Sequence, residues 1–262
     1  MSIAIDQQPL GEQLKLWRRQ RHMSQLDLAL EADISARHLS FVETGRSRPS
    51  RDMVMRLAEC LSLPLRSRNA LLRSAGFAPA YRERGFDDPA LDHARKAVQR
   101  ILDGHAPYPA LAVDRHWQMV AHNRMVPLLL GGVDPSLLAP PVNVLRLSLH
   151  PGGLAPRIAN LGEWKRHLLD RLAGQIAASA DPVLEALRDE LAGYPAPASK
   201  GPWEAMSAIV VPMELDSAGG RLSLFSTTTI FGTPVEVTLS EIAIESFFPA
   251  DQGTAEALRS LG

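Results

Sequence analysis

The sequence predicts an α+β protein of two domains: an all-helical front of five bundled helices, and a mixed back with flanking helices and an antiparallel sheet of about five strands. Three observations predict this. Between residues 9 and 75 apolar residues recur three and four apart, punctuated by Ser, Gly and Pro. From about residue 207 onward they alternate or run together in short stretches. Charge divides between the same two regions. Residues 1–85 carry 14 Lys and Arg against 9 Asp and Glu, a charge of +5, whereas residues 86–262 carry 14 against 20, a charge of −6. A basic front joined to an acidic back fits a polyanion-binding module carried by a domain of another kind. At 262 residues and 45% hydrophobic, the chain has the length for two cores.

The first helix is predicted from Pro9 to Arg21, with Leu10, Leu14, Trp17 and Arg21 on one stripe. Pro9 suits a first turn, where its missing N–H is not needed. Ser24 caps a second helix, Gln25–Glu31, with Asp27 in the first turn. Leu28, Ala29 and Ala32 face inward, and Ala29 is small where the next helix must cross. Ala32-Asp33-Ile34 makes a turn, and Ser35 caps a third helix, Ala36–Thr44, whose Leu39 and Val42 point inward. That leaves Ala36, Arg37, Ser40 and Phe41 on the outer side. Gly45 ends this helix, as a left-handed residue often does. Arg46-Ser47-Arg48-Pro49 forms a basic loop, and Ser50 caps a fourth helix with Val54, Leu57, Ala58 and Leu61 inward. A fifth, about Leu65–Ala75, closes the bundle before Gly76.

Behind a connection rich in Gly, Pro and mixed charge, a helix is expected from Pro89 to Leu102, with Gly104 as its stop. Leu111 and Val113 alternate, Asp114-Arg115 turns, and Trp117, Met119 and Ala121 alternate again, which reads as a strand hairpin. Helices follow at Asn123–Leu130, Asn143–Leu149, Leu161–Ala178 and Pro182–Ala192, and residues 193–204 make a loop. Ser207–Leu215, Leu222–Phe231 and Ile242–Phe248 read as strands, with a tight turn at Ser217–Gly220 and a further short piece at Val235–Leu239. The expected boundaries are 1–78 for the helical domain, 79–92 for the linker and 93–262 for the mixed domain.

Ser24-Gln25, Leu28-Ala29, Ala32, Ser35, Leu39-Ser40, Glu43-Thr44-Gly45-Arg46 and Arg48-Pro49-Ser50 together resemble the phage-repressor-like helix-turn-helix of the XRE family. One departure is Asp33, where the family usually has Gly because the turn needs positive φ. The resemblance implies that the third helix enters the major groove of DNA with its N-terminal residues on base edges. Arg37 then suits a bidentate pair with guanine O6 and N7, worth ~1–3 kcal/mol of discrimination. Ser40 can donate or accept, Ala36 and Phe41 can meet a thymine methyl, and Ser35 is expected among the DNA-contacting residues. Gln25, at the start of the second helix, is expected on a phosphate. Arg46, Arg48 and Arg51 are expected on phosphates beyond the groove. Plainer readings stand beside these: Arg37 as a solvated arginine, Phe41 packed on the fourth helix or the loop, and His38 either exposed or tucked against the second helix. Arg18 and Glu43 are expected as an inward ion pair between the first and third helices.

From Asp88 to Leu261 the chain resembles the MmyB-like ligand-binding domain, on the Pro109–Asn123 hairpin, Asn143–Leu149 with His150-Pro151, Trp164, and Leu222–Phe231 leading to Phe248-Pro249-Ala250-Asp251. Relatives often carry Trp where this chain has His122. Two strands from the front of this domain and three from its end make a PAS-like order. The resemblance implies a small-molecule sensor, and fatty acids have been suggested as ligands for relatives. Trp164, Leu168, Val211, Phe225 and Phe231 either enclose a ligand or fill the core. Tyr108, His122, Arg146 and Trp203 are the polar side chains that could orient one.

Several classes are disfavoured. Cys60 is the only cysteine, so no internal disulfide and no thiolate zinc site is possible. His116 and His122 lie about 20 Å apart along a strand and cannot share a metal. There is no HExxH, and His150-Pro151-Gly152-Gly153 has no G-x-S-x-G to accompany it, so it reads as a helix exit. No cofactor, metal or catalytic set is expected. No apolar run approaches ~18 residues, and the N-terminus lacks the regions of a signal peptide. The expectation is a cytoplasmic, DNA-binding transcriptional regulator, a homodimer on a palindromic operator, that senses an apolar or weakly acidic metabolite. Its rivals are a ligand-independent regulator whose second domain only dimerises or binds protein, and an enzyme that regulates its own operon.

Overall fold

Among the described residues five helices build the front of the chain: α1 (Leu10–Gln20), α2 (Gln25–Glu31), α3 (Ala36–Glu43), α4 (Arg51–Cys60) and α5 (Leu65–Ser74). The computed structural model describes residues 8–198, 211–231 and 236–261. Its contacts group the chain into two compact units, Met1–Arg84 with Gln175–Pro182 and Val235–Val237, and Gly85–Gly174 with Val183–Pro234 and Thr238–Gly262.

In the first unit the helix boundaries follow local chemistry. The hydroxyls of Ser24, Ser35 and Ser50 accept the backbone N–H of Asp27, His38 and Met53. Asp27 also accepts the Ser24 N–H at 2.8 Å, which completes a capping box on α2. α1 and α5 begin after Pro9 and Pro64. All five helices close alike, on a left-handed residue: His22, Asp33, Gly45, Ser62 and Gly76, with φ of 55°, 52°, 73°, 48° and 85°. Each closure carries a pair of backbone hydrogen bonds. At the end of α2, Asp33 N–H reaches the Leu30 carbonyl at 3.2 Å and Ile34 N–H reaches Ala29 at 2.9 Å. Asp33 therefore does adopt the positive φ that the turn needs.

Leu14, Trp17, Leu28, Leu39, Leu57 and Leu71 form the centre of this core, each at most 1% exposed. Each such side chain contributes about 1.5–3 kcal/mol on burial. α1 and α3 approach most closely at Gly11, a position that periodicity does not single out. A Cβ there would stand 2.3 Å from the Glu43 carbonyl oxygen. Beyond α5, residues 80–83 are strapped back by Asn69, which is fully buried. Its Oδ1 accepts the N–H groups of Ala80 and Tyr81, and its amide donates to the Tyr81 carbonyl and to Glu83.

The second unit carries α6 (Asp92–Gly104), β1 (Ala110–Val113), β2 (Met119–His122), α7 (Val126–Leu129) and α8 (Val144–Leu149). α9 (Leu161–Ser179), α10 (Pro182–Ala192), β3 (Met213–Ser217), β4 (Gly220–Ile230), α11 (Val237–Ser240), β5 (Ala243–Pro249) and α12 (Gln252–Leu261) follow along the chain. The five strands form one antiparallel sheet in the order β2-β1-β5-β4-β3, with two early strands meeting three late ones. One face packs Ala110, Ala112 and Ile244 against Val98 and Leu102 of α6. Asn123 ties this face to the hairpin. Its Oδ1 accepts the N–H groups of Ala110 and Met125, and its amide donates to the carbonyls of Leu102 and Tyr108.

Several elements differ from expectation. Trp117 stands in the β1–β2 turn, not in a strand, at φ 64°. The turn is held by Asp114 Oδ1, which accepts the N–H groups of His116 and Gln118. The helix expected over Asn123–Leu130 shrinks to α7, because Asn123 turns inward to hold the hairpin. The strand expected over Ser207–Leu215 is seen from Met213, and residues 207–210 lie outside the described residues. The piece at Val235–Leu239 is the helical turn α11 in its described part. α12 is an addition. Asp251 Oδ1 caps it by accepting the Thr254 N–H at 2.7 Å, and Thr254, Ala255 and Leu258 are buried. Among the described residues no helix is long and apolar enough to cross a membrane.

Candidate nucleic-acid interface and ligand cavity

The capping and packing of α3 leave one face outward. Leu39 and Val42 are buried, whereas Ser35 and Arg37 are exposed and Ala36, Ser40 and Phe41 are half-buried. The Arg37 guanidinium lies 5.4 Å from the centroid of the Phe41 ring, a cation–π contact that shelves the ring beneath it. The Phe41 carbonyl accepts the N–H groups of Arg46 and Ser47, so the basic loop is anchored to α3. Arg46, Arg48 and Arg51 are exposed, while Pro49 between them is buried. His38 turns toward α4, with Nε2 3.2 Å from Met53 Sδ, and not toward α2.

Gln25, expected on a phosphate, also has a partner within the domain. Its amide donates at 2.6 Å to Glu43 Oε2. Glu43, 2% exposed, also accepts Arg18 Nε at 2.8 Å and Nη2 at 3.1 Å. Arg18 in turn donates to the Met23 carbonyl. A buried carboxylate requires such partners, and Gln25 supplies the third hydrogen bond. Asp27, whose carboxyl is held below its usual range by the Ser24 hydrogen bonds, puts negative charge at the start of α2.

The second unit holds a partly open cavity of about 90 Å³ between the other sheet face and α7, α8 and α9. Its walls are almost wholly apolar, with Leu111, Met119, Phe247, Leu147, Trp164 and Leu168 among them. Trp164 Nε1 donates to Ser148 Oγ at 2.9 Å, so the indole is fixed. The charged exceptions are Arg171 and Glu245, which pair with each other in the cavity wall.

Among the described residues, the other side chains expected around a ligand stand outside this cavity. Phe225 lies on the opposite sheet face, stacked on Phe248 at 5.5 Å between centroids, and Phe231 packs on the α6 cluster. A strand alternates, and even-numbered residues of β4, such as Ser226, face the cavity. Tyr108 accepts from Arg259 Nη2 at 3.3 Å at the surface. His122 Nδ1 contacts the Asn123 carbonyl at 2.9 Å. Arg146 is held in a two-point pair with Glu190, at 2.6 and 2.7 Å. Val211 is not part of the cavity wall, and Trp203 lies outside the described residues.

Arg171 and Glu245 were not singled out, yet both leave a trace in the sequence. Arg171 continues the Trp164, Leu168 stripe of α9, and Glu245 is a lone acid in a mostly apolar strand. Among the described residues no group of three or more His, Cys, Asp or Glu side chains could hold a metal ion.

Comparison with known proteins agrees with this division. Residues 94–261 match the MmyB-like transcription regulator ligand binding domain, and residues 14–67 match a helix-turn-helix. No curated protein matches the chain. Among solved structures it is similar to one titled "Structure of an RNA-binding Light-Oxygen-Voltage Receptor", at 13% identity and a TM-score of 0.26. That likeness covers 98% of this chain, which spans 65% of the length of the other, and is too slight to support an argument.

Proposed function

The chain belongs to the family of the MmyB-like transcription regulator ligand binding domain and carries a helix-turn-helix before it, and from that premise we propose how this DNA-binding regulator reads DNA and what controls it. It acts as a cytoplasmic homodimer on a palindromic operator, since the motif needs two half-sites about one helical turn apart. Arg37 pairs with a guanine, Ser35 and Ser40 hydrogen-bond nearby, and Ala36 and Phe41 pack on a thymine methyl. Arg46, Arg48 and Arg51 neutralise phosphates. Gln25 acts through the scaffold, holding Glu43.

A small apolar or weakly acidic metabolite binds the second unit and shifts DNA affinity, which requires different ligand affinity in the two states of the protein. The observation that carries this reading is the apolar cavity with a single charged pair in its wall. Native mass spectrometry of protein purified from its own host tests it. A dimer carrying a small-molecule mass is expected; a bare chain that no added metabolite alters would contradict it. A second reading, in which this unit serves only dimerisation or protein binding, draws on the cavity's size. At about 90 Å³ it is smaller than the ~150 Å³ that holds benzene.

A further inference from the structure

The charged part of the cavity wall is an ion pair already closed on itself. Arg171 places Nη1 3.0 Å from Glu245 Oε2 and Nη2 2.5 Å from Oε1. Thr228 Oγ1 accepts from the same Nη2 at 2.5 Å and donates to Glu245 Oε1 at 2.9 Å. The guanidinium also lies 4.6 Å from the centroid of Trp117, the residue whose backbone is left-handed. The Glu245 side chain is only 4% exposed. One cation and one anion thus sum to zero in an apolar chamber. His167 on α9 adds no second cation at neutral pH, since burial first and the Arg171 charge second hold its pKa below the usual value. Asp170, beside them in the chain, is exposed and negative.

On the reading that this cavity is the ligand site, we infer that its ligand is an uncharged amphiphile: a short apolar chain ending in a group that both donates and accepts hydrogen bonds, such as an alcohol or a carboxamide. A carboxylate would put a second anion beside Glu245 with one guanidinium between them, and an ammonium would do the same to Arg171. Either leaves a buried charge uncompensated, which is costly.

The hydrogen-bonding inventory fits a neutral head group. Of the five N–H groups of a guanidinium, Glu245 and Thr228 take three. Glu245 Oε2 accepts one hydrogen bond where a carboxylate oxygen can take two. Ser226 lines the wall with its hydroxyl, and Ser148, which accepts from Trp164, keeps its own proton to donate. The inference narrows the apolar or weakly acidic class to members uncharged when bound, and the small volume favours a chain of few carbons.

The test compares pentanamide, pentanol and pentanoate by calorimetric titration into the full-length protein near neutral pH. The amide and the alcohol should bind, and pentanoate should bind more than about tenfold more weakly than the amide. Pentanoate binding as tightly as pentanamide would overturn the inference while leaving the cavity a ligand site. If none of the three binds, the cavity reading falls, and the inference with it. Glu245→Gln keeps the size and removes the charge, so pentanoate should gain about tenfold and overtake the amide; an unchanged order counts against the inference. If circular dichroism shows that this variant fails to fold, the native comparison decides alone.

Discussion

Arg18 and Glu43, 25 residues apart, meet as a two-point ion pair between α1 and α3, at 2.8 and 3.1 Å, with the Glu43 side chain fully buried. Gln25 fastens α2 to the same carboxylate. The pair therefore sets how α1, α2 and α3 lie on one another.

Removing one partner leaves the other charge buried without compensation. Arg18→Met and Glu43→Ala should each destabilise the helical unit by ~3–5 kcal/mol. Urea unfolding followed by circular dichroism measures this, and a loss below about 1 kcal/mol would mean that the carboxylate finds water or another partner.

Asp33 should respond in the opposite direction. Its φ of 52° costs an L-residue roughly 1–2 kcal/mol, from which the greater chain entropy of glycine subtracts about half. Asp33→Gly should stabilise the unit by about 0.5–1 kcal/mol and raise its thermal midpoint by a few degrees. A midpoint that falls would show that the Asp33 side chain contributes more than its backbone costs.

Acid should uncouple α8 from α10. The Arg146 hydrogen bonds hold the Glu190 carboxyl down to about 2 from an ordinary 4.5. A depressed carboxyl stabilises fully above its unfolded pKa and loses that contribution as pH falls through 4.5 toward 2. The pair is about a third exposed, so solvent screening limits it to at most ~1 kcal/mol. Glu190→Gln should be less stable by up to that amount at neutral pH, and the gap should close with acidification. A gap independent of pH across denaturant titrations would exclude this linkage.

Arg48→Ala should weaken binding on every DNA sequence and flatten the salt dependence by about one unit in log–log slope. A titration of affinity against salt that keeps its slope would remove Arg48 from the phosphate contacts.

The helical unit was legible because its determinants are local. Caps at Ser24, Ser35 and Ser50, glycines at 45 and 76, and stripes such as Leu14 and Trp17 each act within a turn or two of helix. Strand existence was legible for the same reason. What escaped depends on distant partners. Which face of β4 meets the cavity is decided by what packs on each side, and large aromatics pointed to the wrong face at Phe225. Arg171 and Glu245 lie 74 residues apart, and only the fold joins them. Gln25 bonds Glu43, 18 residues away, a contact that no local pattern announces.

The central claim, sequence-specific DNA binding through the outer face of α3, is tested most directly by selecting binding sites from a random DNA pool with the native protein and with Arg37→Ala. The native protein should enrich a two-fold symmetric sequence with half-sites about one helical turn apart, and Arg37→Ala should lose its preference at one guanine per half-site, at ~1–3 kcal/mol, with the rest of the site retained. A native protein that enriches no sequence, or a variant that weakens equally on all of them, would contradict the account.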